Sequence, residues 1–195
     1  DGIESCSALY KLTKRRSLRS FASKKVTDAL MYQLLELANR APSAYNIQPW
    51  HFILVRNPEL RQLLCHIAMD QEQVLNAPEI VAVAADTECW KKPFEGILAE
   101  SVRSGLFTEK EASIKRKNVH AIFSTAPFGL FGFVKRLLTP LRRLGKPTPR
   151  VITNREEAKA YVENQAMVAA SYFMAGAELA GLGTCPIDAF DEERA

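Results

Sequence analysis

Between residues 28 and 41 apolar side chains recur at helical spacing: Leu30, Leu34, Leu37, Ala38 and Ala41. That period predicts a helix. Thr27 offers an N-cap hydroxyl and Asp28 a carboxylate in the first turn. Pro42 ends the run, because the residue before a proline is pushed out of the α region. Residues 5–14 read as a shorter helix leading into a basic cluster. The pattern then changes. "HFILVR" (51–56) and "EIVAVAA" (79–85) are short, nearly continuous apolar runs, which predict buried strands. Between them "NPELRQLLCHIA" (57–68) predicts a helix, with Asn57 as cap, Pro58 at the first position and a stripe of Leu60, Leu63, Leu64 and Ile67. "DQEQVLNAP" (70–78) reads as a polar connector or short helix. Helix, strand, helix, strand is the order of an α+β or α/β layer fold.

The second half is less even. Residues 86–150 show the least regular pattern, although 105–123 suits a helix. "APFGLFGFVKRLLTPLRRLGKPTPR" (126–150) mixes apolar and basic residues, and Pro and Gly interrupt it. It reads as an insertion or lid, not a core element, with Pro140 and the glycines breaking any continuous amphipathic helix. A long helix starts after Asn154, its cap, with Glu156 and Glu157 in the first turn. It is largely apolar over 166–182. Seventeen residues are the bare minimum for a membrane span, and Ser171 and Glu178 lie inside, so burial in a core or a subunit interface explains the run better. Gly181 and Gly183 stop it.

Composition narrows the class. The chain has 195 residues, 47% hydrophobic and 25% charged, which fits a single globular domain able to bury a core and excludes a disordered or collagen-like chain. Cys6, Cys65, Cys89 and Cys185 are far apart, and His51, His66 and His120 lack ligand spacing, so neither a disulfide framework nor a zinc site is expected. No leader segment is recognisable, and the thiols read as reduced ones in a cytoplasmic protein. The net charge of +4 is uneven: residues 1–25 carry net +5 and residues 103–150 net +9. Either basic segment suits phosphate, nucleic acid or an anionic membrane surface.

Three segments carry candidate chemistry. In "RRSLR", Arg15, Arg16, Ser17 and Arg19 place guanidinium groups and a hydroxyl close together, and in an extended chain Arg15, Ser17 and Arg19 share one side. They can grip one anion, or form a solvated basic turn. In "PSAYNIQPW" (42–50), Ser43, Asn46 and Gln48 offer compact polar groups beside rigid prolines, which suits either a heteroaromatic ring edge or an ordinary loop. In "GLGTCPIDAF" (181–190), a helix runs out at glycines into a small polar turn. Cys185 there has no acid or His placed by sequence to activate it and reads as structural.

The content, order and spacing of "RRSLRSF", "APSAYNIQPWHFILV", "DQEQVLNAPEIVAVAA" and "NQAMVAASYFMAGAELAGLGTCPIDAF" resemble the FMN-dependent nitroreductase family over nearly the whole chain except about 86–150. The resemblance implies an α+β three-layer sandwich with a mostly antiparallel central sheet, an intimate homodimer, and FMN at the dimer interface. It implies that Arg15, Ser17 and Arg19 hold the FMN phosphate, with Arg16 adding a contact. Pro42, Ser43 and Asn46 then lie against the flavin ring, usually from the second subunit. Gln71 and Gln73 meet its polar edge, and Pro186, Ile187, Asp188 and Ala189 reach the N5 and O4 region. Asp188-Ala189 stands where many members have Glu-Gly, and a backbone donor survives there only if Ala189 avoids positive φ. Asp70 stands where Asn is common. The chain also reads as stopping short of the family's last strand and tail.

The implied chemistry is a ping-pong cycle in which NAD(P)H reduces FMN and a nitroaromatic, quinone or similar small acceptor is reduced in turn. The flavin carries the reaction, and no catalytic side chain or metal is called for. Two alternatives stay open. One is reductive dehalogenation or flavin fragmentation within the same superfamily. The other is a non-enzymatic nucleic-acid or membrane module built on the basic segments, with "FGLFGFVKRLLTPLRRLG" at a membrane surface. The flavin reading makes nucleic acid no partner and peripheral membrane contact the lesser expectation.

Overall fold

Each predicted cap can be checked against the backbone it was meant to serve. The computed structural model describes residues 7–124, 130–145, 147, 152–191 and 194. The order is α1 (Ser7–Lys14), α2 (Asp28–Asn39), a 3₁₀ turn (Ala44–Asn46), β1 (Trp50–Leu54), α3 (Pro58–Ile67), α4 (Glu72–Asn76), β2 (Val81–Ala85), α5 (Lys92–Arg103), α6 (Glu109–Phe123), α7 (Leu130–Arg143) and α8 (Arg155–Leu179). Thr27 caps α2 by accepting from the Leu30 N–H, and Asn57 caps α3 by accepting from Glu59 and Leu60. Asn154 accepts from the Glu157 N–H at the head of α8. At its tail the Leu182 N–H donates to Ala177 O and the Gly181 N–H to Glu178 O, with Gly181 at φ +78. That is a Schellman stop, which needs a residue free to enter the left-handed region.

Three boundaries differ from expectation. Helix α2 ends at Asn39, before Pro42, because the Arg40 N–H turns back to Leu37 O and Ala38 O. Strand β1 covers 50–54 instead of 51–56, and β2 covers 81–85 instead of 79–85. The Val55 N–H donates to Ile80 O and the Asp86 N–H to Pro49 O, so the two strands run antiparallel in one register. The stripe on α3 is also narrower than the spacing suggests: Leu60 and Leu63 are half exposed, and Cys65 and Ile67 are the buried positions.

Contacts divide the chain into two compact units, Asp1–Ala41 with Phe52–Ala84 and Ala169–Ala195, and Pro42–His51 with Ala85–Val168. In the first, Met31, Leu34 and Ala38 of α2 are buried. A Cβ at Gly176 of α8 would stand 2.5 Å from Leu37 Cδ2, so the missing side chain lets α8 approach α2. Arg56 joins the chain after β1 to the Asp28 and Glu79 carboxylates. Arg61 donates to the carbonyls of Val74, Leu75, Ala77 and Pro78, closing α3 onto the segment after α4.

The second unit reverses the expectation of irregularity for 86–150. Its core cluster is Ile47, Cys89, Phe94, Leu98, Ala112, Val119, Phe123, Ile152 and Val162, and α5 and α6 supply most of it. Helix α6 opens with a reciprocal capping box, Thr108 and Glu111, which makes its start independent of the irregular sequence before it. Helix α7 runs through Pro140 without ending. A proline there removes the N–H that would reach Arg136 O, and one missing bond costs less than the helix gains elsewhere. Residues 125–129 and part of 146–151, within the expected lid, lie outside the described residues. Among the described residues no helix is long and apolar enough to cross a membrane.

Candidate functional site

The basic run after α1 is extended and lies against the turn after α8. Ser17 forms an isolated parallel bridge with Thr184, and the Leu18 N–H donates to Thr184 O at 3.0 Å. Gly183 makes this possible, since a Cβ there would overlap the Leu18 side chain. Arg16, Ser17 and Arg19 are exposed and Arg15 is half-buried. Arg15 Nη1 and Thr184 Oγ1 are buried and, among the described residues, have no hydrogen-bond partner. Buried polar atoms in folded proteins are almost always paired, so two orphans on adjoining segments are hydrogen-bonding capacity that a polar ligand can take up. A phosphate has the acceptor oxygens that both a guanidinium N–H and a hydroxyl want.

A second group in the same unit joins α3 and α4 to the end of the chain. Gln73 Nε2 donates to Gln71 Oε1 at 2.7 Å, and Gln71 Nε2 donates to Ala189 O at 3.2 Å. Ile187 packs on Cys65, Ala68 and Val74, and the Asp191 N–H donates to Ile67 O. Pro186, Asp188 and Ala189 are exposed around this anchor. Ala189 does not adopt positive φ, the condition for its N–H to serve where glycine is common. Met69 and Asp70, just before Gln71, are left-handed at φ 57 and 55.

Pro42, Ser43 and Asn46 belong to the second unit and form their own group. Ser43 Oγ accepts from the Gln48 N–H at 3.0 Å, and Gln48 Nε2 donates to Asn46 Oδ1 at 3.3 Å. The Ala44 N–H donates to Gln165 Oε1 of α8 at 2.9 Å. Tyr45, Asn46 and Gln48 are left-handed at φ 56, 56 and 44. Among the described residues the five non-glycine positions with positive φ are these three with Met69 and Asp70. Each costs about 1–3 kcal/mol, and such strain collects where a site dictates backbone shape. Both loops are ones the sequence had already singled out.

Sequence reasoning missed Thr184 and Gln165. Thr184 sits inside a quoted turn, but its burial follows only from the bridge to Ser17. Gln165 braces a loop 121 residues away, and no local signal marks it. Cys65 and Cys89 behave as structural thiols: burial raises Cys65 and pushes Cys89 up to about 12, away from the thiolate.

The signature of the Nitroreductase family matches residues 12–194. The chain belongs to the nitroreductase family. Membership places it among FMN- and NAD(P)H-linked oxidoreductases, with the α+β fold expected from the sequence. It is 28% identical over 181 residues to an NADH dehydrogenase of Thermus thermophilus, covering 93% of this chain and 73% of that protein. It is 26% identical over 182 residues to an oxygen-insensitive NADPH nitroreductase of Helicobacter pylori, covering 92% of this chain and 73% of that one. Its fold is similar to that of an Exiguobacterium sibiricum protein described as a nitroreductase in complex with FMN, with TM-score 0.68, 21% identity, 97% of this chain and 78% of that chain.

Proposed function

We propose that this nitroreductase family member binds FMN through the 15–19 and 183–189 segments and passes electrons from NAD(P)H to a small nitroaromatic, quinone or similar acceptor. The observation that carries the reading is the pair of buried, unpartnered polar atoms, Arg15 Nη1 and Thr184 Oγ1. They fit the phosphate end of FMN. Arg15, Ser17 and Arg19 bind that phosphate, and Arg16 adds a contact from the exposed side. Gln71 and Gln73, oriented by each other and by Ala189 O, present amide groups to the polar edge of the ring. Pro186, Ile187, Asp188 and Ala189 hold a fixed turn beside its reactive edge.

Bound FMN supplies reversible two-electron chemistry that no side chain of this protein offers. The chain's own work is to bind, orient and exclude water. Donor and acceptor use the same face in turn, which makes the kinetics ping-pong. We propose further that Pro42, Ser43 and Asn46 cover the ring from a second copy of the chain. Helix α8 supports the homodimer: Val168, Tyr172 and Leu179 share one face and are exposed. A cytoplasmic location belongs to this reading. So does a role for 86–150 in sorting acceptors: exchanging residues 126–148 for a Gly/Ser linker then leaves FMN bound but changes the relative rates of bulky quinones and small nitroaromatics.

The test begins with the absorbance spectrum of the purified or FMN-reconstituted protein. Flavin bands, bleached anaerobically by NADH or NADPH and restored by a nitroaromatic, are the expected result. A protein that takes up no FMN, or holds it without being reduced by either nucleotide, contradicts the reading.

A further inference from the structure

Helix α7 is amphipathic in the reverse sense to a core helix. Among the described side chains, its inward positions are polar or small. A Cβ at Gly132 would overlap Thr153 O, so the helix backbone lies directly on that segment. Three positions on, Lys135 Nζ donates to Ile122 O, Ser124 O and Ile152 O at 3.0, 2.6 and 3.2 Å. A further turn on, Thr139 is half-buried and donates to Lys135 O. Phe133, Val134, Leu137 and Leu138 fall on the opposite side at helical spacing. They are 67, 40, 63 and 44% exposed, and Leu144 just past the helix is 86% exposed. A helix normally turns such a stripe toward its own core. Here the docking contacts hold it outward.

The charge around this helix identifies its occupant. Between Glu111 and Glu156 the sequence contains no Asp or Glu and ten Lys or Arg. Arg136 beside the stripe is exposed. An apolar face beside the exposed Arg136, in a stretch whose sequence has cations and no acids, suits an interface of acyl chains beneath anionic headgroups. A second copy of the same surface suits it poorly, because an isologous contact would set these cations against themselves. We propose that the outer face of α7 is a docking surface for anionic lipid bilayers, a peripheral attachment rather than a span. The proposal rests on α7 alone and stands whether or not the flavin reading does.

The test is co-sedimentation of the full chain with vesicles of phosphatidylcholine and with vesicles of equimolar phosphatidylcholine and phosphatidylglycerol. FMN content and sedimentation velocity are read in the same samples. Binding to the anionic vesicles, weak binding to the neutral ones and release by salt are expected. The double variant Phe133→Ser/Leu137→Ser should lose at least about tenfold in partitioning, and Arg136→Gln about fivefold. Phe133→Trp, which keeps the face apolar, should show a blue-shifted emission on anionic vesicles alone. No binding to anionic vesicles overturns the proposal. So does binding that both serine substitutions leave unchanged, or a wild-type oligomer that the double variant dissolves without any vesicle binding.

Discussion

The chain has two basic segments, and the structure puts them to different uses. In 15–19 the cations stand beside a turn that has lost polar partners: Arg15 Nη1 and Thr184 Oγ1 are buried and unsatisfied among the described residues. In 103–145 the cations whose contacts are described are already committed. Arg116 pairs with Glu95 at 2.8 Å, Lys135 serves three carbonyls, and Lys115 lies over the Phe107 ring. Basic charge in the sequence therefore stands beside unspent polar groups in one place, where we propose a ligand cradle, and in scaffold with an apolar outer face in the other. The distinguishing quantity is unspent hydrogen-bonding capacity under burial, not the number of arginines.

Substitutions in and beside the two segments should have separable effects. The largest effect on folding is expected at Lys135, whose ammonium gathers carbonyls at the C-terminal end of α6 and before α8. Lys135→Met should lower unfolding free energy by about 2–3 kcal/mol through unpaired carbonyls and a lost favourable charge at a helix end, with FMN affinity unchanged. Urea unfolding and flavin titration of one preparation check both halves. Gly183→Ala should come next, at about 1 kcal/mol, because the new Cβ must push Leu18 aside. It touches the cradle, so FMN affinity should fall several-fold with it, which fluorescence titration reads.

The smallest effect is a pH dependence. The Arg116 guanidinium holds the Glu95 carboxyl below its ordinary value of 4.5, with His120 contributing the same way. A lowered folded value means stability present above pH 4.5 and lost as pH falls through the lowered value. Arg116→Met should flatten that acid loss while leaving flavin binding alone. Urea midpoints at neutral pH and below 4.5, compared between the two proteins, report the slope. An unchanged slope would remove Arg116 as the cause.

Local signals carried much of this fold. Thr27, Asn57 and Asn154 cap the helices they precede, and Gly181 stops α8, because each acts through bonds within a few residues. The strands were legible as apolar runs between turn signals. Helix α6 falls within 105–123, which reads as helical, but α5 lies in a stretch that reads as irregular, and the buried positions of the two are widely spread: Phe94, Leu98, Ala112, Val119 and Phe123 find one another only in the folded unit. Helix α7 was obscured by Pro140, which costs a bond without ending the helix. At the site, "RRSLR" and the 181–190 turn could be named separately, but their contact is a tertiary fact. The bridge of Ser17 to Thr184 and the burial of Arg15 Nη1 have no counterpart in spacing.

If the orphaned groups of Arg15 and Thr184 bind a phosphate, FMN and riboflavin should bind differently. The two ligands share the ring and differ by the phosphate alone. Titrated into apo protein, wild type should prefer FMN. In Arg15→Met that preference should shrink about 10- to 100-fold, the worth of one charge-assisted hydrogen bond of roughly 1.5–3 kcal/mol. The apo fold should be no less stable, since an apolar side chain removes the buried, unpartnered Nη1 of Arg15. Equal losses for FMN and riboflavin, or an unchanged preference, would contradict the account.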